Sequence, residues 1–235
     1  MSQADFDIDA LAAYLHLTPQ QVLRMADRGR LPGRKLGGQW RFSQAEIHHW
    51  LEERIGVSGE DELVEVEGVL KKNAPDTHDD WSLVDLMPAE SINPQFQART
   101  RSSVISGMVE LAGHSGLLWD PNRMEDAVRA RENLHPTAME NGVALLHPRR
   151  PQTSILADPF VSFGRTFQGI PFGDAKGSLT DCFFLICSVD DAGHLKLLAR
   201  LSRLITLPNF LPRLRDAQTP GEIHDLIRGA EDDLP

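Results

Sequence analysis

Asn141-Gly142-Val143-Ala144-Leu145-Leu146-His147-Pro148 is the stretch on which the reading of this chain turns. Four apolar residues, entered through Asn-Gly and closed by His-Pro, predict a short buried strand with an imidazole at its carboxyl end. Two more strand-like runs, Phe160–Phe163 and Cys182–Val189, are rich in β-branched and aromatic residues and bounded by Gly, Pro and Asp. Helical patterns surround them. Val104, Ile105, Met108, Val109 and Ala112 mark an amphipathic helix ended by Gly113, and Asp120-Pro121 opens another carrying Met124, Ala127, Val128 and Arg131. Gly193 through Ile205 places Leu195, Leu198, Leu201 and Ile205 on one face, and Thr219-Pro220-Gly221-Glu222 reads as a capping box leading into Ile223, Leu226 and Ile227. Helices alternating with strands over residues 83–235 predict a layered α/β domain, a mixed sheet flanked by helices.

The chain is long enough for a second unit. At 235 residues, 41% hydrophobic and 25% charged, it can bury an ordinary core and still hold a smaller domain. No run approaches the roughly 18 apolar residues of a membrane span. The start, Met1-Ser2-Gln3-Ala4-Asp5, has no signal-peptide pattern, so a cytoplasmic protein is expected. Cys182 and Cys187 are an odd number of residues apart, on opposite faces of a strand, and suit neither a disulfide nor a metal site. Buried free thiols, with no metal and no cofactor, are expected. The net charge of −10 excludes a protein that coats nucleic acid throughout, but the charge is unevenly placed. Arg24, Arg28, Arg30, Arg34, Lys35 and Arg41 face one acid, Asp27; Glu60, Asp61, Glu62, Glu65, Glu67, Asp76, Asp79 and Asp80 then face Lys71 and Lys72. Residues 57–82 read as an acidic, extended linker between units 1–56 and 83–235.

In the first unit, Ile8, Leu11, Ala12 and Leu15 recur at helical spacing, and Thr18-Pro19 starts a second helix with Val22, Leu23 and Ala26 toward the core. Gly29 stops it. Arg34-Lys35-Leu36-Gly37-Gly38-Gln39-Trp40-Arg41-Phe42 predicts two short strands joined by a glycine turn, and Ser43-Gln44-Ala45-Glu46 caps a helix carrying Ile47, Trp50 and Leu51. This order resembles the excisionase-like winged helix-turn-helix family. The resemblance implies DNA binding, with Gln20, Gln21, Arg24 and Arg28 on a recognition helix and Arg34, Lys35 and Arg41 on a wing near phosphates or the minor groove. One short unit with few phosphate contacts binds weakly, so a homodimer or a second DNA-bound protein is expected to complete specific binding. A helical unit with a solvated arginine face, or one that binds protein, remains open.

Arg131-Glu132, Thr137 and Asn141 through His147, with Asp181 through Leu195 farther on, resemble the mannitol/fructose-type IIA domain of the bacterial phosphotransferase system, including its nitrogen-regulatory branch. In that family the first histidine accepts a phosphoryl group from a small phosphocarrier protein and passes it to a IIB partner or holds it as a signal. The resemblance makes His147 the acceptor and His194 the second histidine, opening a helix. Imidazole chemistry fits. With a pKa of about 6.5, one ring nitrogen is free to attack phosphorus while the other is held by a hydrogen bond. Arg131, His194 and Thr137 are the groups expected to offset the oxygens' charge.

Simpler roles stay open: Arg131 paired with Glu132 or Glu125, Thr137 capping a turn, His194 at a helix start with a solvent partner, His135 lining the site or pointing outward. The chain departs from the family where Leu146 replaces a common proline, where Pro148-Arg149-Arg150-Pro151 is unusually basic, and where Ala138-Met139-Glu140 replaces a glycine-rich turn. Three functions follow as expectations: a phosphorylatable DNA-binding regulator, a phosphocarrier to a separate IIB protein for sugar uptake, or a degenerate IIA domain acting as a non-phosphorylated binding module.

Overall fold

The computed structural model describes residues 5–15, 17–44, 46–47, 50–51, 81–173 and 176–234. The chain divides into two compact units, Met1–Asp79 and Asp80–Pro235. Apart from Trp81 and Ser82, the expected acidic linker lies outside the described residues.

The first unit holds α1 (Ile8–Tyr14), α2 (Pro19–Asp27), β1 (Arg34–Leu36) and β2 (Gln39–Arg41). Asp7 caps α1 by accepting from the Ala10 N–H at 2.8 Å. At α2 the cap is reciprocal: Thr18 Oγ1 accepts from the Gln21 N–H, and Gln21 Oε1 accepts from the Thr18 N–H. Arg28 ends α2, and Gly29 follows in the left-handed region at φ 67°. Leu23, expected in the core, is 39% exposed, while Val22 and Ala26 are buried. The apolar stripe of α2 is thus narrower than the sequence implies. Antiparallel β1 and β2 turn through Gly37 and Gly38, both at positive φ, as a two-residue hairpin requires. Phe6 bridges Phe42 beside the hairpin. Gln44, Glu46, Ile47, Trp50 and Leu51 are helical, with Ile47 and Leu51 buried; Ala45 of the expected capping box lies outside the described residues.

The second unit begins with two 3-10 turns, Leu83–Leu86 and Ala89–Ser91, and β3 (Ile92–Asn93). There follow α3 (Arg101–Gly113), α4 (Pro121–Leu134), β4 (Val143–Leu146), β5 (Phe160–Pro171), β6 (Leu179–Cys187), α5 (Asp191–Thr206), α6 (Phe210–Asp216) and α7 (Pro220–Asp232). The four strands lie in the order β3-β5-β6-β4; β5 and β6 are antiparallel, and the two outer pairs are parallel. The sheet is therefore mixed and flanked by helices. Ala144, Leu146, Phe183, Leu185 and Cys187 share one core cluster with Val104, Met108 and Ala112 of α3 and Met124 and Val128 of α4. Each buried Val, Leu, Phe or Met among them contributes about 2 kcal/mol. The alternate residues point to the opposite face, where Phe163 and Phe184 meet with centroids 4.8 Å apart. Cys182 and Cys187 are both buried and unbridged. Burial pushes the Cys182 thiol up to about 12, reinforced by Asp181, and burial raises the Cys187 thiol as well.

Strand β5 runs eight residues beyond the expected Phe163, through a register shift between Arg165 and Ile170. Gly164, Arg165, Gln168 and Gly169 hide that half from a hydrophobic pattern. Strand β6 ends at Cys187 rather than Val189, because Asp190 already caps α5. Helix α6 was not expected, since Pro208-Asn209-Phe210-Leu211-Pro212 reads as a loop; its Pro212 sits in the first turn, where no N–H is needed. At α7, Thr219 caps as expected, but the Glu222 carboxylate accepts from the Gln218 N–H rather than closing the box.

Candidate functional site

Strands β4 and β6 are parallel neighbours, so their carboxyl ends lie side by side, the place where open α/β sheets gather ligands. Residue His147 leaves β4 there. Ser188 leaves β6, and after the Asp190 cap the first turn of α5 brings up His194. The two rings stand with centroids 5.0 Å apart, tilted by 59°. Both are buried, each 3% exposed.

The start of β4 fixes its register. Arg215 donates through Nε and Nη2 to the Asp181 carboxylate at 2.7 and 2.8 Å, and through Nη2 to the Asn141 carbonyl at 2.8 Å. Gly142 beneath it has φ 86°, and a Cβ there would come within 2.6 Å of Arg215 Nη2. Glycine is therefore needed for conformation and for space. The turn is closed by the Gly142 N–H donating to the Met139 carbonyl at 3.1 Å.

The hydrogen bonds of His147 assign its tautomer. Nδ1 lies 2.8 Å from the Leu145 carbonyl, which can only accept, so Nδ1 carries the proton. Nε2 then accepts from Arg131 Nε at 3.2 Å. Arginine offers donors only, so this contact requires the unprotonated Nε2 lone pair. Arg131, 6% exposed near the end of α4, is held in turn by Nη1 donating to the His135 carbonyl at 2.7 Å. His194 Nδ1 meets the buried Ser188 hydroxyl at 2.9 Å.

Three of the four expected site residues, His147, Arg131 and His194, thus converge. Thr137 is placed differently: its hydroxyl donates to the carboxylate of the fully buried Glu132, which also accepts from the Thr137 N–H and from Arg101 at 3.4 Å. A hydroxyl that gives its proton to Glu132 has none for a phosphoryl oxygen. Burial raises the Glu132 carboxyl above its ordinary value, against the Thr137 hydrogen bonds and the Arg101 and Arg131 charges. Glu125 pairs with Arg129 and Ser106, so neither acid suggested for Arg131 is its hydrogen-bond partner. His135 is exposed and reaches the site only through its carbonyl. Ser188 and Arg101 escaped the sequence reading, because one is a lone serine past a strand and the other lies thirty-one positions from its partner. The first turn of α5 is already capped by Asp190, which offsets the attraction of that helix end for an anion.

In the first unit, Gln20, Gln21, Arg24 and Arg28 are exposed on α2, although the Gln21 carbonyl is committed to the cap. Gln21, Arg24, Arg28 and Arg30 border a depression of about 250 Å³. The wing cations are engaged: Arg34 with Asp5 at 3.0 Å, Lys35 with Asp27 at 3.5 Å, and Arg41 with Gln39 at 3.2 Å. Trp40 also donates to Asp27, at 3.3 Å, with Lys35 Nζ 4.9 Å from the ring centroid.

Known proteins resemble both units of the chain. Residues 85–230 match the model of the phosphoenolpyruvate-dependent sugar phosphotransferase system EIIA 2 family, and residues 6–55 match that of a helix-turn-helix domain. A nitrogen regulatory protein of Bradyrhizobium diazoefficiens is 29% identical over 149 residues, 62% of this chain and 94% of that protein. The fructose-specific EIIABC component of Bacillus subtilis is 26% identical over 147 residues, 62% of this chain, which spans 23% of that longer relative. Among solved structures, the nitrogen regulatory protein IIA-Ntr of Neisseria meningitidis aligns with a TM-score of 0.56 at 17% identity, covering 62% of this chain and 98% of its own. The Escherichia coli IIA mannitol protein, solved also as a complex with phosphorylated enzyme IIB, gives 0.54 at 20% identity for that complex, covering 61% and 99%. The chain belongs to the EIIA 2 family of the phosphoenolpyruvate-dependent sugar phosphotransferase system, and carries a helix-turn-helix domain on its amino-terminal side.

Proposed function

We propose that this protein is a regulator in which His147 accepts a phosphoryl group from a phosphocarrier protein and the helix-turn-helix unit binds DNA. The observation that carries this reading is the pairing of His147 Nε2, the nitrogen without a proton, with the buried Arg131 guanidinium. Nε2 attacks phosphorus in line; an Nε2–P bond forms as the donor's N–P bond breaks, and the donor nitrogen keeps the bonding pair. Arg131 gives up Nε2 and donates to the phosphoryl oxygens, still held at Nη1 by the His135 carbonyl. His194, placed by Ser188, lies beside the same group. The added charge of about −2 then biases contacts of the chain with DNA or a partner.

The joined helix-turn-helix domain and the 29% identical nitrogen regulatory protein support regulation. Onward transfer to a separate IIB protein is the second reading, supported by the neighbour solved with phosphorylated IIB. The test is incubation of the full chain with phosphoenolpyruvate, the general phosphotransferase enzyme and a phosphocarrier protein, followed by intact mass. One acid-labile phosphate is expected in wild type and none in His147→Ala. Equal labelling of the two overturns the assignment; absence of label in both leaves a IIA fold used as a binding module.

A further inference from the structure

Glu132 follows Arg131 directly on α4, and consecutive helical residues leave the axis about 100° apart, so the two side chains do not face each other. Both nevertheless grip the same loop, the one that joins α4 to β4. Arg131 Nη1 donates to the His135 carbonyl at 2.7 Å, while the Glu132 carboxylate accepts from the Thr137 N–H at 3.3 Å and from the Thr137 hydroxyl. Only Pro136 stands between the two attachments, and its ring restricts the backbone there. Past Thr137 the loop is pinned to β4: Ala138 bridges Ala144, and the Met139 N–H donates to the Val143 carbonyl at 2.8 Å. Glu132 is anchored in turn by Arg101 of α3, whose Nη2 donates to the Glu132 carbonyl and lies 3.4 Å from its carboxylate. Taking a carboxylate wholly out of water is costly, and an apolar side chain would pack α4 against α3 at least as well. What the carboxylate adds is a fixed acceptor for the loop. That matters to Arg131, because of its two acceptors the His147 Nε2 is lost when a phosphoryl group arrives and the His135 carbonyl is kept.

We infer that Glu132 and Thr137 are positioning residues for phosphoryl transfer: by fixing the His135 carbonyl, they set the direction from which the Arg131 guanidinium meets the phosphoryl oxygens. This rests on His147 being the phosphoacceptor. Neither residue touches the reacting atoms, and the Thr137 hydroxyl gives its proton to Glu132, so the effect of both passes through Arg131. A guanidinium whose anchor can shift carries the same charge but is no longer aimed, and stabilisation of a transition state depends on donors already in place.

The experiment measures kcat and KM for phosphorylation of the full chain by the phosphorylated phosphocarrier protein. Thr137→Val keeps the shape and the N–H of the residue but deletes the hydroxyl, and Thr137→Ser keeps the hydroxyl. Thr137→Val is expected to lose about tenfold in kcat with KM unchanged, and Thr137→Ser to stay within about twofold of wild type. Placed in an Arg131→Ala background, Thr137→Val is expected to cost nothing more, since the group it acts through is gone. An unchanged kcat in Thr137→Val overturns the proposal. So does the full loss repeated on top of Arg131→Ala, which would put the hydroxyl on the phosphoryl group, or a loss confined to KM, which would put Thr137 in donor binding. Chemical denaturation shows whether each variant is folded at the assay temperature. If Thr137→Val is not, Pro136→Gly takes its place: it leaves every hydrogen bond of the loop but loosens the stretch from His135 to Thr137. A loss of about threefold in kcat is then expected only where Arg131 is present, and an unchanged kcat overturns the proposal. Absence of label in wild type removes the acceptor reading itself, an outcome separate from any of these.

Discussion

Arg131 in the second unit and Lys35 in the first are both cations with a defined partner, and their surroundings make them opposites. Arg131 is 6% exposed and bonded to two acceptors of one buried network, His147 Nε2 and the His135 carbonyl. Lys35 meets Asp27 with side chains 56% and 51% exposed. An exposed pair of that kind contributes about 0–1 kcal/mol and is screened by salt, so water, DNA phosphate or nothing can replace either partner. A buried donor cannot be exchanged so freely, because whatever it leaves must find another bond in place of water. The second unit holds Arg131 in a buried network, and the first holds Lys35 in an exposed pair that solvent can replace.

The largest expected effect lies where the buried network is densest. Glu132→Ala strips the partner from Thr137 and Arg101 together and is expected to cost about 3 kcal/mol in chemical denaturation of the full chain. Since burial raises the Glu132 carboxyl, the folded chain holds that proton more tightly than the unfolded chain. Its contribution is complete below the ordinary carboxylate range and is lost as pH rises through the raised value. Denaturation across that window should show falling stability, and Glu132→Gln should flatten the slope. A steep slope retained in Glu132→Gln would assign it elsewhere.

Next comes the chemistry itself. Arg131→Ala removes the donor facing Nε2 and is expected to slow phosphorylation of His147 by about a hundredfold, as loss of one positioned charge-stabilising donor does elsewhere. Arg131→Lys restores a charge but not the two-point geometry, and should recover only part of the rate. Equal rates for wild type and Arg131→Ala would place the guanidinium outside the reaction.

Legibility in the sequence followed the same division between local and distant causes. Helices α3, α4 and α5 and strand β4 were readable because caps and apolar spacing act within a few residues: Asp120-Pro121, Gly113 and the run Val143–Leu146 carry their own signals. The convergence of His147, Arg131 and His194 was legible only through family resemblance, since 47 positions of chain separate the two histidines and the parallel pairing of β4 with β6 is what joins them. The second half of β5 was missed because its register is set across a bulge by β6 and not by its own pattern. Thr137 was misplaced for a related reason. A hydroxyl near an active histidine in sequence looks like a ligand, but a buried carboxylate five residues away, Glu132, competes for its proton.

Smaller effects belong to the first unit. Arg24→Ala, Arg28→Ala removes two exposed cations from α2 and is expected to weaken DNA retention about tenfold near 0.1 M salt, lowering the slope of log affinity against log salt by about 2. Gel shifts at several salt concentrations measure both quantities. An unchanged slope would remove α2 from the phosphate contacts.

The smallest prediction is also the sharpest test of the exchangeable wing. Asp27 serves two partners, accepting from Trp40 Nε1 at 3.3 Å and pairing with Lys35 at 3.5 Å. Asp27→Asn keeps an amide oxygen for the indole but deletes the charge, so the wing stays positioned while Lys35 loses its ion partner. The stability change should stay within about 0.5 kcal/mol, and DNA affinity should rise about threefold as one like-charged repulsion disappears and one lysine is released. Asp27→Ala loses both contacts and should gain less, because its wing is no longer anchored. If Asp27→Asn weakens DNA binding instead, the carboxylate is needed for the bound state, and the wing cations are as fixed in their way as Arg131 is in its network.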